Sequence, residues 1–339
     1  MKRTPAGTVV ALMVLTEGVI ASGDIQRRST CPDSLVGHGN GGCLALAPPH
    51  ADREATRGNC PDEHVIDVLW ACTPEARDYA GGMDVVLDAC RFAVEDANTT
   101  FTNTGLPFSV RIVGLHLTDY IEGDAAYLYH LQNPSDGYMD EVPPLRDARS
   151  ADIVALVTRQ GYCGVAFVAP ASPDWGYQAD SISCLIELNP FRHELGHNLG
   201  SKHWSNDSGG YFPWSAGHVL ALGDGSEVGT AMGGNSIAHY SNPNVFYDGV
   251  ATGIPAGDPG QADNFAAFTV TVPMVANFRC STNACMADAT LDGVVGVADM
   301  LAVLDAWGPC PACPADVVFS GIVDVADVLL VVGSWGECP

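Results

Sequence analysis

Positive charge is what this chain most lacks. Its 339 residues hold 15 Lys and Arg against 40 Asp and Glu, a formal net charge of −25. Lys2 and Lys202 are its only lysines, and no Lys or Arg lies between Lys202 and Arg279 or beyond Arg279. With no basic patch to neutralise phosphates, nucleic acid is excluded as a partner. Long apolar runs are missing too. Past the N-terminus none approaches the roughly 20 residues of a membrane-spanning helix, so the mature chain is expected to span no membrane. Hydrophobic residues nonetheless make up 47% of the chain, enough for a sizeable core. The length exceeds one comfortable domain, so two or three units are expected.

Residues 1–23 open with Lys2-Arg3 and run into Val9-Val10-Ala11-Leu12-Met13-Val14-Leu15. This reads as a secretory signal peptide cleaved near Ala21-Ser22-Gly23, although Glu17 is unusual so close to the apolar run. Twelve cysteines, an even number, agree with an oxidising, extracellular destination. Cys31, Cys43 and Cys60 fall in a Gly- and Pro-rich stretch over 24–62, a short pro-segment or a disulfide-tied lead-in.

The most informative stretch is His193-Glu194-Leu195-Gly196-His197-Asn198-Leu199-Gly200-Ser201-Lys202-His203. Two His four apart on a helix share one face, so His193 and His197 can present two imidazoles to one ion. Glu194 stands beside the first of them, placed to work on a bound water. Gly200 permits the positive φ that ends the helix and brings His203 round as a third ligand. Three nitrogen ligands with one open position describe a catalytic zinc. Upstream, Asn189-Pro190 suits a helix start, with Asn capping and Pro at the first helical position.

The spacing H-E-x-x-H-x-x-G-x-x-H resembles that of the metzincin zinc peptidases. Met232, within Gly229-Thr230-Ala231-Met232-Gly233-Gly234, fits the methionine turn that such proteins place beneath the zinc. His239-Tyr240-Ser241-Asn242-Pro243-Asn244 is similar to a segment of secreted bacterial proteins related to the adamalysin (reprolysin) branch. The resemblance makes Tyr240, Ser241, Asn242 and Pro243 candidates for lining the primed-side substrate pocket. Ala151-Asp152-Ile153-Val154 and Cys163-Gly164-Val165-Ala166 look like the same family, in which the segment after Cys-Gly is an edge strand that pairs with extended substrate. Cys163–Cys184 is the favoured disulfide, and Cys72–Cys90 is a further candidate. One departure stands out: Trp204 follows the third His where the adamalysin branch usually has Asp, which puts the branch and the support of the methionine turn in question. His218 and His239 are better read as surface or supporting residues than as rival ligands.

The fold class expected over 63–280 is α+β. It is a zincin-like three-layer metallopeptidase domain with a mostly parallel twisted sheet and the zinc helix. Val65–Trp70, Phe108–Leu117 and Asp152–Val157 read as strands, and apolar spacing over Gly82–Thr99 and 262–278 reads as helix. A 28-residue repeat follows over 281–339, a small all-α duplicated calcium-loop and helix module: Ala284-Cys285 matches Ala312-Cys313, Val297-Ala298-Asp299 matches Val325-Ala326-Asp327, and Trp307-Gly308 matches Trp335-Gly336. Asp288, Thr290, Asp292, the Val294 carbonyl and Asp299 have calcium-loop spacing, with Gly293 at the turn. Met300, Leu301 and Leu304 are expected on one helix face. Asp316, Ser320, Ile322 and Asp327 form a weaker second loop, because Val318 and Ser320 replace polar or acidic ligands. The module resembles a type I dockerin, which implies Ca²⁺ and a cohesin-type protein partner; a self-contained calcium spacer is the other reading. Cys285–Cys310 and Cys313–Cys338 are suggested, with cross-pairing equally allowed.

The function expected from these residues is a secreted zinc endopeptidase that hydrolyses peptide bonds with zinc-bound water and Glu194 as general base. The alternative is a catalytically inactive zinc-containing binding or adhesion protein; the intact Glu194 argues against it.

Overall fold

The computed structural model describes residues 64–279 apart from 124 and 171, and 286–337 apart from 291, 311, 312, 319 and 320. The expected signal peptide, the lead-in with Cys31, Cys43 and Cys60, and Cys285, Ser320 and Cys338 lie outside the described residues.

The larger unit is built on β1 (Val65–Cys72). Every residue of β1 after Val65 is buried, as a strand with neighbours on both sides and helices on both faces must be. After β1 come α1 (Pro74–Ala80), α2 (Met83–Thr104), β2 (Ser109–Leu117), α3 (Tyr127–Gln132), α4 (Val142–Ala148) and β3 (Ile153–Thr158). Next are β4 (Gly164–Ala166), β5 (Tyr177–Ser181), α5 (Ile182–Glu187) and α6 (Pro190–Asn198). The sheet order is β2-β1-β3-β5-β4. All pairs are parallel except β4 with β5, so β4 is an antiparallel edge strand. Two short hairpins follow, β6 (Val219–Ala221) with β7 (Glu227–Gly229) and β8 (Phe246–Tyr247) with β9 (Val250–Ala251). The unit closes with α7 (Asn264–Val275).

The pleat sorts the core into two layers. Ile66, Val68, Trp70 and Cys72 of β1 and Ile153, Ala155 and Val157 of β3 pack with α2, α6 and α7 on one face. Leu69, Ala71, Val154 and Leu156 face the other way, against α3 and α4. Helix, sheet and helix thus form the three layers expected, with a mostly parallel sheet. Cys163 and Cys184 are joined, as favoured from the sequence. The Cys72–Cys90 candidate is corrected: both thiols are free and buried in the first layer. Burial pushes the Cys72 thiol up to about 12 and the Cys90 thiol well above its usual range, suppressing the thiolate that disulfide exchange requires.

The smaller unit, within 286–337, holds β10 (Val294–Val295), α8 (Val297–Asp305), β11 (Gly308–Pro309), β12 (Ile322–Val323), α9 (Val325–Gly333) and β13 (Gly336–Glu337). It is therefore not purely helical: β10 pairs with β13, and β11 with β12. Each repeat opens with a strand completed by the other repeat. Val303 and Val331, 28 residues apart, meet in a small core with Val295, Val317 and Val323. The face expected to unite Met300, Leu301 and Leu304 is split. Met300 packs inward, whereas Leu301 and Leu304 are exposed, as are their repeat equivalents Leu329 and Val332. The helix period explains this, since Val303 claims the inward direction, Met300 lies about 60° from it, and Leu304 and Leu301 lie about 100° and 160° away, toward solvent. The suggested Cys285–Cys310 and Cys313–Cys338 pairings are also corrected, because Cys310 is bonded to Cys313. The Cys313 N–H donates to the Cys310 carbonyl, and this turn brings their Cα atoms to 5.5 Å.

Candidate metal centre

Helix α6 carries the first two histidines, and its position is set at three points. Phe191 packs against Trp70 of β1 at 4.8 Å between ring centroids, their planes tilted by 34°. Arg192 reaches Asp96 on α2 (3.0 Å) and donates from Nε to Asn235 Oδ1 (2.5 Å). Asn235 in turn donates to the carbonyls of Leu188 and Asn189, both at 3.1 Å. The helix start differs from expectation. Pro190 takes the first position, but Asn189 is left-handed (φ 47°) and its side chain caps nothing. A capping side chain reaches the first-turn amides from an extended backbone, and Asn189 is not extended. At the far end Gly200 has φ 92°, the conformation that favours glycine, and the chain turns back there as predicted.

That turn brings the three imidazoles together. His203 Nε2 lies 3.0 Å from His193 Nε2 and 3.1 Å from His197 Nε2. The opposite nitrogens fix the tautomers. His193 Nδ1 donates to the Ala231 carbonyl (2.6 Å) and His197 Nδ1 to the Ser201 carbonyl (2.8 Å), because a carbonyl can only accept. Both rings therefore turn bare Nε2 lone pairs toward the same point, and a single N–H on His203 cannot satisfy two of them. Burial holds His193 down to about 3, His203 to about 4, and His197 well below its usual range, so all three stay neutral. Three converging neutral imidazoles, two oriented by backbone carbonyls, fit a zinc ion. Among the described residues His218 and His239 join no such group, while the three histidines do.

Met232 is fully buried under the helix. A Cβ on Gly196, between the two helical ligands, would lie 2.2 Å from Met232 Sδ. Glycine at that position is what lets the methionine rise against the helix. The same turn supplies the Ala231 carbonyl that orients His193, so floor and ligand are set by adjacent residues. The departure at Trp204 is accommodated locally: the ring is exposed, and the backbone N–H of Trp204 donates to Asp207 Oδ2 at 3.0 Å.

Glu194 is 4% exposed, and its Oε2 is buried without a hydrogen-bond partner. Burial, and behind it the charge of Asp180, raise its carboxyl well above the ordinary range. Its side chain lies over Gly164 of the edge strand, where a Cβ would meet Glu194 Oε1 at 2.2 Å.

The segment suggested as a pocket wall contributes buried struts. Tyr240 donates to the Arg192 carbonyl (2.5 Å), Ser241 to the Ala216 carbonyl (2.6 Å) and Asn242 to the Thr104 carbonyl (2.8 Å). Pro243 beside them is half-buried.

In the small unit, Asp288, Asp292 and Asp299 bring carboxylate oxygens within 4.8 Å of one another. Asp288 accepts from the Asp292 and Gly293 amides, and Asp299 from the Thr290 and Gly296 amides. The Val294 N–H donates to Asp292 Oδ1, which folds the loop back on itself. Asp316 and Asp327 repeat the arrangement toward Gly321, Val318 and Asp324. Ile322 of the second loop is 51% exposed.

Sequence reasoning placed Gly164 at the edge strand but missed that it makes room for Glu194, and it missed the parts played by Asp180, Arg192 and Asn235. Asp180 carried a faint signal, a lone acid inside a strand whose other residues suit burial.

Residues 87–204 match the model of the Metallo-peptidase family M12B Reprolysin-like, a stretch that includes all three histidines and Glu194. A peptidyl-Asp metalloendopeptidase of Stenotrophomonas maltophilia is 28% identical over 226 residues, 63% of this chain and 52% of that protein. Proteins of the same name are 27% identical in Xanthomonas campestris and 26% in Pseudomonas aeruginosa. A solved chain described as part of a chaperone-substrate complex is similar with a TM-score of 0.50 and 25% identity, over 64% of this chain and 36% of that one. The chain spans about half the length of the curated relatives it matches. Its similarity to these relatives is a similarity to metallopeptidases, and the matched stretch is the one that carries the three imidazoles.

Proposed function

We propose that the chain is a secreted zinc-dependent endopeptidase in which Glu194 is the general base. The convergence of three neutral imidazoles beside a buried carboxylate carries this reading. His193, His197 and His203 would hold the metal. When bound, Zn²⁺ supplies Lewis-acid polarisation of the scissile carbonyl and eases deprotonation of the attacking water. Glu194 takes that proton and delivers it to the leaving amine. Its burial keeps bulk water from competing for the proton. Among the described residues edge strand β4 pairs on one side only, which offers an extended peptide a place to add by main-chain hydrogen bonds. The relatives' name makes peptides with Asp at the cleaved bond the first substrates to try. Neither Arg192 nor Lys202, the cations nearest in sequence to the ligands, is free to receive an Asp side chain. Arg192 is held by Asp96, and Lys202 Nζ donates to the carbonyls of Ser205 and Asp207.

The C-terminal repeats extend the proposal to a dockerin-like module that takes Ca²⁺ at Asp288, Thr290, Asp292, Val294 and Asp299 and docks a cohesin-type partner. Three converging carboxylates support the first loop, and the exposed apolar residues Val297, Leu301, Leu304 and Trp307, repeated at Val325, Leu329, Val332 and Trp335, support a docking face.

The decisive test is Glu194→Gln. The variant is expected to keep one zinc per chain and lose at least a hundredfold in casein or peptide hydrolysis. Activity equal to the parent's refutes Glu194 as base, and an inactive parent loaded with zinc favours the binding-protein alternative.

A further inference from the structure

The two carbonyls that orient ligand rings come from different places. Ala231, which serves His193, belongs to the turn at Met232. Ser201, which serves His197, lies between Gly200 and the third ligand. The Ser201 backbone is tied to α6 twice. Its N–H donates to the Gly196 carbonyl (2.9 Å), and its carbonyl accepts from His197 Nδ1 (2.8 Å). Its side chain reaches away from α6, to the start of α7, where Ser201 Oγ donates to Asn264 Oδ1 at 2.9 Å. The Lys202 carbonyl, 3.1 Å from the same hydroxyl, has the Gly217 N–H as well. Asn264 Oδ1 has no second donor among the described residues, so the hydroxyl proton is best spent there.

Asn264 is itself firmly placed. It is the first residue of α7, and the first amides of a helix find no partner within it. Ser241 serves two of them: its hydroxyl accepts from the Asn264 N–H (2.9 Å) and its carbonyl from the Phe265 N–H (3.0 Å). The Ser241 hydroxyl donates onward to the Ala216 carbonyl (2.6 Å), and Ala216 pairs with Lys202 in a parallel bridge, which returns the chain of contacts to the ligand turn. Ser201, Asn264 and Ser241 are completely buried, so bulk water does not compete for these bonds. Asn264 Nδ2 is buried with no acceptor among the described residues. A buried N–H left unpaired lowers stability, and an apolar side chain of similar shape would avoid that loss. Stability alone therefore gives no reason for an asparagine here, whereas the use made of its oxygen does.

We propose that Asn264 is a positioning residue of the metal centre: by holding the Ser201 hydroxyl it fixes the residue whose carbonyl orients His197. The start of α7 then supports the second ligand as the turn at Met232 supports the first. Asn264 bonds to none of the three rings and acts only through Ser201. A ligand whose far nitrogen loses its carbonyl can rotate and change tautomer, and support of this kind is worth roughly ten- to a hundredfold in metal affinity. The inference rests on the reading of the three histidines as zinc ligands, but its account of His197 in the metal-free chain does not.

The test compares the full chain with Asn264→Leu, Ser201→Ala and the double variant. Leucine is close to asparagine in shape but offers the hydroxyl no oxygen. Chelator competition should show zinc held about tenfold or more weakly in each single variant. Because the two residues act through one bond, the double variant should bind no worse than the weaker single one, within about threefold. Nitrogen NMR of the imidazoles in the metal-free protein should show His197 as the Nδ1–H tautomer in the parent and as a mixture in the variants. His193 should stay unchanged, because Ala231 still holds it; general loosening of the fold would move both rings. Parental zinc affinity in either single variant, losses that multiply in the double variant, or equal changes at His193 and His197 each overturns the proposal. Should Asn264→Leu not fold, Asn264→Ala, which adds no bulk, takes its place with the same expectations. A parent that binds zinc but cleaves no peptide defeats the peptidase reading separately, and the zinc affinities and tautomers still decide the part played by Asn264.

Discussion

Replacing Gly196 by alanine sets two physical effects against each other with opposite signs. Gly196 lies inside α6, where alanine is intrinsically favoured over glycine by about 1 kcal/mol. On propensity alone the variant should be more stable. Packing opposes this, because the new methyl would stand 2.2 Å from Met232 Sδ and 3.2 Å from both Met232 Cγ and Tyr240 Cε1. The sulfur is midway along a fully buried side chain, and Tyr240 is fully buried too. Relief requires the turn at Met232 to move, and Ala231 moves with it. Overpacking of this kind costs about 1–3 kcal/mol, which offsets the gain and leaves a net loss of up to ~2 kcal/mol. Because the Ala231 carbonyl orients His193, the same shift should weaken zinc binding about tenfold or more, within the range for lost support of a metal ligand. Thermal melting of the metal-free protein and chelator competition for zinc measure the two effects. Met232→Ala in the same chain should recover part of the zinc affinity by vacating the space. A Gly196→Ala protein that melts higher than the parent and holds zinc as tightly would refute the argument that the methionine is pressed against the helix.

Gly164→Ala should displace Glu194, since the added methyl overlaps its Oε1, Cγ and Cδ; kcat is expected to fall about a hundredfold, the cost of a misplacement near 1 Å, with zinc content unchanged by metal analysis. Lowering the pH should release the metal and destabilise the metal-free fold. His193 and His203 are held down to about 3 and 4, so between about pH 6.5 and pH 4 the unfolded chain takes up protons that the folded chain refuses. Stability contributed by these neutral rings is complete above pH 6.5 and is lost as the pH falls, by roughly 3 kcal/mol per ring at pH 4; a flat melting temperature across that window would contradict it. If the first acidic loop takes Ca²⁺, the ion at a hundredfold excess over its Kd should stabilise the small unit by about 2.7 kcal/mol, and Asp292→Asn should remove most of that gain in calorimetry.

The parts of the site that were legible in the sequence are those compressed into a short stretch. His193, Glu194, His197, Gly200 and His203 span one helix and one turn, and local periodicity fixes their relation without any knowledge of the sheet. The buried strands Val65–Cys72 and Ile153–Thr158 were legible for a similar reason, as short runs rich in β-branched and apolar residues, the first broken only by Asp67. What escaped depends on register. That Gly164 faces Asp180 follows only from the pairing of β4 with β5, which no local pattern states. Asn235 holds a left-handed φ of 58° and bridges Arg192 to the chain before α6, more than forty residues away, so nothing near it in sequence marks it. Cysteine arithmetic failed where a thiol served as core, at Cys72 and Cys90, and where a tight turn joined near neighbours, at Cys310 and Cys313.

The strand exchange in the small unit has a consequence for how that unit came to be kept in two copies. Because β10 finds its partner in β13 and β11 in β12, a single repeat would expose two unpaired edges and half of an already small core. Neither copy can therefore drift into disuse while the other survives, since erosion of one unzips both. The acidic loop at Asp316 runs straight into β12, so the pairing of β12 with β11 of the other repeat ties that loop into the unit whether or not it holds an ion of its own.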